Sequence, residues 1–345
     1  LLTTLRSISD TILDESSSQL RLQAALDEYS QLCARVSGIQ PDAGFNSQAG
    51  DQLLAEGVAI GPRAAAHCIT DYQRTVVFIR GVYAAINDCI TERQQRAERG
   101  PLHILYAGCG PFATLLMPLI ERFDPDALDI TLLDIHAESL NSVGRLVNHF
   151  GLEFYDIATM KADASTYQHH RTLHLIVAET MQKALEQEPQ LAVTANLVPQ
   201  LQPKGVFIPQ QVRVQLCLAN PASFMTAASP IAANSSQRKR SVAELICLNQ
   251  SHISHIMHTL EKDPDSRSYQ VMATELIMPA DEDAQGRELF MFTQVVVYSD
   301  YRLDDFEAEI TLPTRVHDIP TPAPGAAFCV VYRMGAYPKF CFSQH

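Results

Sequence analysis

Leu102-His103-Ile104-Leu105-Tyr106-Ala107-Gly108-Cys109-Gly110-Pro111 decides how the chain is read, because an apolar run of strand type leads straight into Gly-x-Gly. Glycine at 108 and 110 permits a tight turn and lets backbone N–H groups come close to a ligand. Phe112 to Phe123 then carry Leu115, Leu116, Leu119 and Ile120 at helical spacing, so a helix is expected there. A second apolar strand, Asp129-Ile130-Thr131-Leu132-Leu133, delivers Asp134, twenty-four residues beyond Gly110. A carboxylate at that point can accept from both hydroxyls of a ribose. A glycine turn plus a ribose acid implies a nucleoside-bearing cofactor at the mouth of a parallel sheet.

Working outward, strands near 102–107, 129–134, 156–160, 173–178 and 205–208 alternate with helical stretches, the pattern of a doubly wound α/β unit over 99–210. Ligands in such sheets sit beyond the carboxyl ends of the strands, where Gly108, Asp134, Asp163 and Glu179 all fall. Residues 1–98 are expected to form a helical N-terminal region. Leu20, Leu22, Ala25, Leu26, Tyr29, Leu32 and Cys33 recur at three-to-four spacing after a polar break at 14–18. A loop over 38–52 separates them from a second helical block over 62–95, with Pro62 suited to a first turn. Asp71 and Arg74 are three apart and would share a helix face, as a surface ion pair does. Beyond Pro209, β-type runs at 211–218, 269–278, 289–298, 306–312 and 328–332 predict a mostly antiparallel β domain over 211–345, a barrel or sandwich. Residues 219–241 interrupt it with a composition suited to a mobile loop or an arm that orders on a partner subunit.

The 345 residues, 46% hydrophobic and 19% charged, describe an ordinary globular protein. A net charge of −13 argues against nucleic acid and fits a cationic partner better. No apolar run reaches the ~18–20 residues that span a bilayer, and the opening Leu1-Leu2-Thr3-Thr4 has no basic leader ahead of an apolar segment. Eight scattered cysteines without a Cys-x-x-Cys pair suggest reduced thiols in a cytoplasmic protein. His252, His255 and His258 would spread over a wide arc of a helix with no acid beside them, so no metal site is expected.

A third glycine is missing from the dinucleotide fingerprint, since position 113 is Ala and 114 is Thr, and there is no P-loop lysine. What remains, Gly108-Cys109-Gly110-Pro111 followed by Asp134, resembles the S-adenosylmethionine (SAM) site of class I methyltransferases, although Tyr106 stands where that family often has Asp. Glu179-Thr180-Met181 with a second acid at Glu188, nine residues on, resembles the double-glutamate loop of protein arginine methyltransferases. Leu201-x-Pro203-x-Gly205-x-Phe207-Ile208-Pro209 is similar to that family's continuation into its β domain. Asp71-x-x-Arg74-Thr75 looks like the helical motif whose arginine binds the cofactor carboxylate.

The resemblance implies a Rossmann-like class I methyltransferase core with a cofactor-covering helix around 62–80 and a C-terminal antiparallel β domain. It implies that Arg74, Gly108, Gly110, Asp134 and Asp163 bind SAM. Glu179 and Glu188 would be catalytic and, with Met181, would bind the acceptor. A dimer through 219–241 is implied as well. The chemistry explains the two acids: a guanidinium stays protonated and delocalised, so its nitrogen is a poor nucleophile. Paired carboxylates can hold it by charge-assisted hydrogen bonds, aim one nitrogen at the methyl group and take the released proton.

One departure redirects the substrate. The family's Thr-His-Trp loop corresponds to Phe290-Met291-Phe292, which places Met291 and Phe292 at the His and Trp positions, and the chain has no tryptophan. The expected acceptor is therefore free L-arginine or another small guanidino metabolite. Another amine, a carbon acceptor, protein arginine and a silent SAM-binding scaffold stand as alternatives.

Overall fold

The computed structural model describes residues 2–42, 50–225, 239–262, 269–279 and 286–344. Helices α1 (Leu2–Leu13) and α2 (Gln19–Ser37) flank the polar break; the Ser18 hydroxyl caps α2 by accepting from the Arg21 N–H. An antiparallel hairpin follows, β1 (Gln52–Leu54) and β2 (Gly57–Ala59), inside the region expected to be helical. Its three paired residues per strand are too few to show alternation in sequence. The expected 62–95 helix is also divided, into α3 (Pro62–His67), a 3-10 turn and α4 (Tyr72–Gln95). The break falls at Asp71, which has non-helical backbone angles and a side chain that caps α4 by accepting from the Arg74 N–H. Such a cap stabilises a helix by about 1 kcal/mol. Asp71 and Arg74 therefore meet as cap and backbone, and the expected surface ion pair does not form.

The central sheet is parallel throughout: β3 (Leu102–Ala107), β4 (Leu128–Asp134), β5 (Asp156–Lys161), β6 (Leu173–Ala178) and β7 (Leu201–Ile208), in spatial order β5-β4-β3-β6-β7. The inner strands β3, β4 and β6 read as near-continuous apolar runs because both faces are covered, whereas the edge strand β5 is largely exposed. Ile104 and Tyr106 join the larger core, with α4 and α5 (Ala137–Phe150), while Leu105 and Ala107 face Val193 and Leu197 of α6 (Gln190–Leu197). Register decides the site. Ala107 lies opposite Leu133 on one side and Ala178 on the other, so Gly108, Asp134 and Glu179 emerge in one row. That row sits where the strand order reverses, the crevice such sheets use for ligands.

The helix expected over 112–123 is absent. Turns lead instead into a 3-10 helix, Met117–Arg122. Ala113 takes a positive φ of 44°, and Pro118 lacks the N–H an α-helix would need there.

Beyond β7 the chain builds two antiparallel sheets. One has the order β13-β12-β8-β9, from β8 (Gln211–Ala219), β9 (Lys239–Asn249), β12 (Glu288–Tyr298) and β13 (Tyr301–Leu303), with β14 (Thr314–Arg315) also paired to β12. The other runs β10-β11-β15-β16, from β10 (Leu260–Lys262), β11 (Tyr269–Ile277), β15 (Ala327–Arg333) and β16 (Lys339–Ser343). The stretch 306–312, expected as a strand, is a turn and a 3-10 helix (Glu309–Thr311) that closes on itself, the Thr311 hydroxyl taking the Ala308 N–H. Most of the 219–241 segment, residues 226–238, lies outside the described residues; its ends belong to β8 and β9. His252, His255 and His258 are exposed at a short helix, α7 (Ile253–His258), and no group of three metal-ligating side chains gathers among the described residues. No helix among them is long and apolar enough to cross a membrane.

Candidate active site

At the end of β3, Gly108 and Gly110 adopt positive φ angles of 68° and 63°. A Cβ on Gly108 would come within 2.6 Å of Thr180 Cγ2, so only glycine lets this turn lie against the end of β6. Asp134, at the end of β4, is buried and held by two backbone donors: the Gly110 N–H at 2.9 Å and the His136 N–H at 2.8 Å, one on each carboxylate oxygen. Each oxygen keeps a lone pair for a hydroxyl. Burial raises its pKa, while the two amide bonds pull the other way. Asp163, after β5, spends one oxygen on its own turn, accepting from the Ser165 N–H (2.8 Å) and hydroxyl (2.7 Å). Tyr106, where the resemblance looks for Asp, is buried on β3, and its phenol is raised by that burial.

Glu179 follows β6, and its carboxylate forms an ion pair with Arg74 of α4. Its other oxygen, Oε1, is buried without a hydrogen-bond partner among the described residues. Burial raises the Glu179 pKa and Arg74 opposes the rise. Glu188 is 9% exposed. Burial first, and then the charge of Glu179, push its carboxyl up to about 8, against the pull of Arg74 and a hydrogen bond from Gln182. At neutral pH Glu188 therefore keeps its proton beside the Arg74–Glu179 ion pair.

The segment between the two glutamates is strained and clamped. Ala184, Leu185 and Gln187 all take positive φ, at 56°, 55° and 66°, an arrangement that persists only where surroundings over-determine it. Those surroundings come from distant elements: Thr293 Oγ1 of β12 accepts the Ala184 N–H (2.8 Å), Tyr332 of β15 donates to the Leu185 carbonyl (2.7 Å), and Pro338 O accepts the Gln187 N–H (2.8 Å). The β1–β2 hairpin completes the clamp, the Val58 N–H donating to Gln187 O at 2.7 Å. A Cβ on Gly57 would lie 2.8 Å from the Pro189 nitrogen, so the hairpin seats here only through a glycine. Gln190, fully buried, braces the other end: its amide donates to Ala178 O and accepts from the Thr180 N–H and hydroxyl, all at 2.9 Å.

All eight residues singled out in the sequence (Arg74, Gly108, Gly110, Asp134, Asp163, Glu179, Met181 and Glu188) line one cavity of about 650 Å³. Leu54 and Val58 from the hairpin, and Ile310 and Leu312 from the β domain, line it as well. Met291 and Phe292 do not reach it: both are buried within β12, Met291 in the main core and Phe292 against Phe224 and Phe306. Sequence reading missed Gln190, Gly57 and Lys183, which lines the cavity between the glutamates. Lys183 stands between the two glutamates in the sequence, whereas no local pattern marks Gly57 or Gln190.

No family model and no curated protein matches the chain. Among solved structures it is similar to the Trypanosoma brucei PRMT1 enzyme–prozyme heterotetrameric complex with AdoHcy, at 12% identity and a TM-score of 0.45, over 80% of this chain and 96% of that one. It is also similar to Arabidopsis thaliana protein arginine methyltransferase 10, in an open conformation, at 10% identity and a TM-score of 0.49, over the same shares.

Proposed function

We propose that this protein is a SAM-dependent N-methyltransferase acting on a guanidino group, with free L-arginine or a related small metabolite as acceptor. One observation carries the reading. Two buried carboxylates from one clamped loop share a cavity with a glycine turn and a ribose-type acid, and Glu179 already holds one guanidinium, that of Arg74, while its second oxygen has no partner.

The donor set suits a cofactor with a ribose and no phosphates. Asp134, oriented by two amides, would take the ribose hydroxyls, Gly108 and Gly110 would leave room along the turn, and Asp163 would border the base. Arg74 would take the methionine carboxylate, which frees Glu179 for the acceptor. When bound, SAM supplies an electrophilic methyl group on a sulfonium.

Glu179 and Glu188 would then grip the acceptor guanidinium by charge-assisted hydrogen bonds and fix one nitrogen for attack. Because Glu188 carries a proton at neutral pH in the free site, binding a cation there drives that proton off. The ionised Glu188 would then be the base that accepts the N–H proton released as the methyl group passes to nitrogen, the S–C bond breaking and the sulfonium leaving as a neutral thioether. Support for a small acceptor comes from Met291 and Phe292, which lie inside β12 where the resemblance places a channel-lining loop.

The test is methyl transfer from isotopically labelled SAM to free L-arginine and to an arginine-rich peptide, side by side, with products read by mass. Label on the amino acid alone is the expected result. Label on the peptide returns the acceptor to protein arginine, and label on neither sinks the guanidino reading.

A further inference from the structure

Resting on the guanidino reading, we infer that Lys183 binds a carboxylate of the acceptor, so that the site selects an amino-acid-type guanidine over one lacking that group. Lys183 opens the 3-10 turn Lys183–Leu185 between the two glutamates, is half-buried, and lines their cavity. Its stem leaves an anchored backbone: the next two residues are held in left-handed conformation by the bonds from Thr293 and Tyr332.

The charges in the cavity give the lysine its role. Arg74 and Lys183 are the lining side chains with a permanent positive charge, and Arg74 is paired with Glu179. Lys183 makes no ion pair within 4 Å among the described residues. Glu186 feels its charge but has Lys339 as a second cation, with His317 and Asp318 also facing it. A lysine on the wall of a cavity that also holds Glu179, Glu188 and Asp51 adds positive charge there and weakens the site for a plain cation. It becomes favourable when the ligand brings an anion to meet it. L-Arginine does so at the end of the molecule opposite its guanidinium.

The experiment compares kcat/KM for L-arginine, L-arginine methyl ester and agmatine in wild type, Lys183→Ala and Lys183→Arg. Calorimetry of the same three compounds, with S-adenosylhomocysteine present, gives a readout independent of turnover. Wild type should prefer L-arginine by about 10- to 100-fold, as expected for one charge-assisted contact. Lys183→Ala should erase the preference and Lys183→Arg should keep it. An equal fall on all three compounds, with preference intact, would reduce Lys183 to a loop-shaping residue and overturn the inference. Wild type that treats agmatine and L-arginine alike overturns it too, while leaving the guanidino reading in place. Failure to methylate any of the three defeats both.

Discussion

Replacing Glu188 by glutamine removes an ionisable group, keeps the shape, and should make the protein more stable while silencing it. An unperturbed glutamate titrates near 4.5, whereas burial and Glu179 push Glu188 up to about 8. Between these values the folded chain keeps a proton that the unfolded chain has lost. Folding stability from this group is therefore present below about pH 4.5, falls as pH rises through the window to 8, and is flat above it. At about 1.4 kcal/mol per pH unit, the penalty is on the order of 3 kcal/mol at pH 7 and 5 kcal/mol above pH 8. Glutamine never ionises and escapes it. Urea melts of wild type and Glu188→Gln without ligand should nearly coincide at pH 4.5 and separate in favour of the variant by several kcal/mol at pH 8.5. Methyl transfer to L-arginine should fall at least a hundredfold in the variant, since the base and half of the guanidinium clamp are gone. L-Arginine added to wild type should narrow the stability gap. A variant no more stable than wild type at pH 8.5, or one that turns over normally, refutes the argument.

Arg74→Ala strips the buried partner from Glu179 and should destabilise the fold by roughly 3–5 kcal/mol in thermal or urea melts. The same variant should weaken SAM binding by calorimetry, and unchanged affinity would remove Arg74 from the cofactor site. Gly57→Ala forces a methyl group to within 2.8 Å of the Pro189 nitrogen and 3.0 Å of Gln187 O. It should lose about 1–3 kcal/mol and lower kcat more than it raises the Kd for SAM, because the hairpin bears on the glutamate loop and not on the glycine turn.

The inner strands of the central sheet were legible because they are buried on two faces and so written as near-continuous apolar runs, as in Leu173–Ala178. Phe112 to Phe123 shows the opposite: apolar spacing predicted a helix, but Ala113 takes a positive φ and Pro118 has no N–H to donate, and the run closes as turns and a 3-10 helix. The 306–312 run failed likewise, because a side-chain hydroxyl captured the Ala308 N–H.

What the sequence by itself determined is local: a strand ending in Gly-x-Gly, an acid at the end of the next strand, and two glutamates nine residues apart. These are properties of neighbours along the chain, where spacing alone sets direction and reach. Only the tertiary structure decided that Arg74 meets Glu179 across 105 residues, that Gly57 and Gln190 brace the loop, and that Glu188 holds a proton at neutral pH. Ion pairing and proton affinity depend on which groups are brought within a few ångströms and how far water is excluded, and spacing along the chain encodes neither.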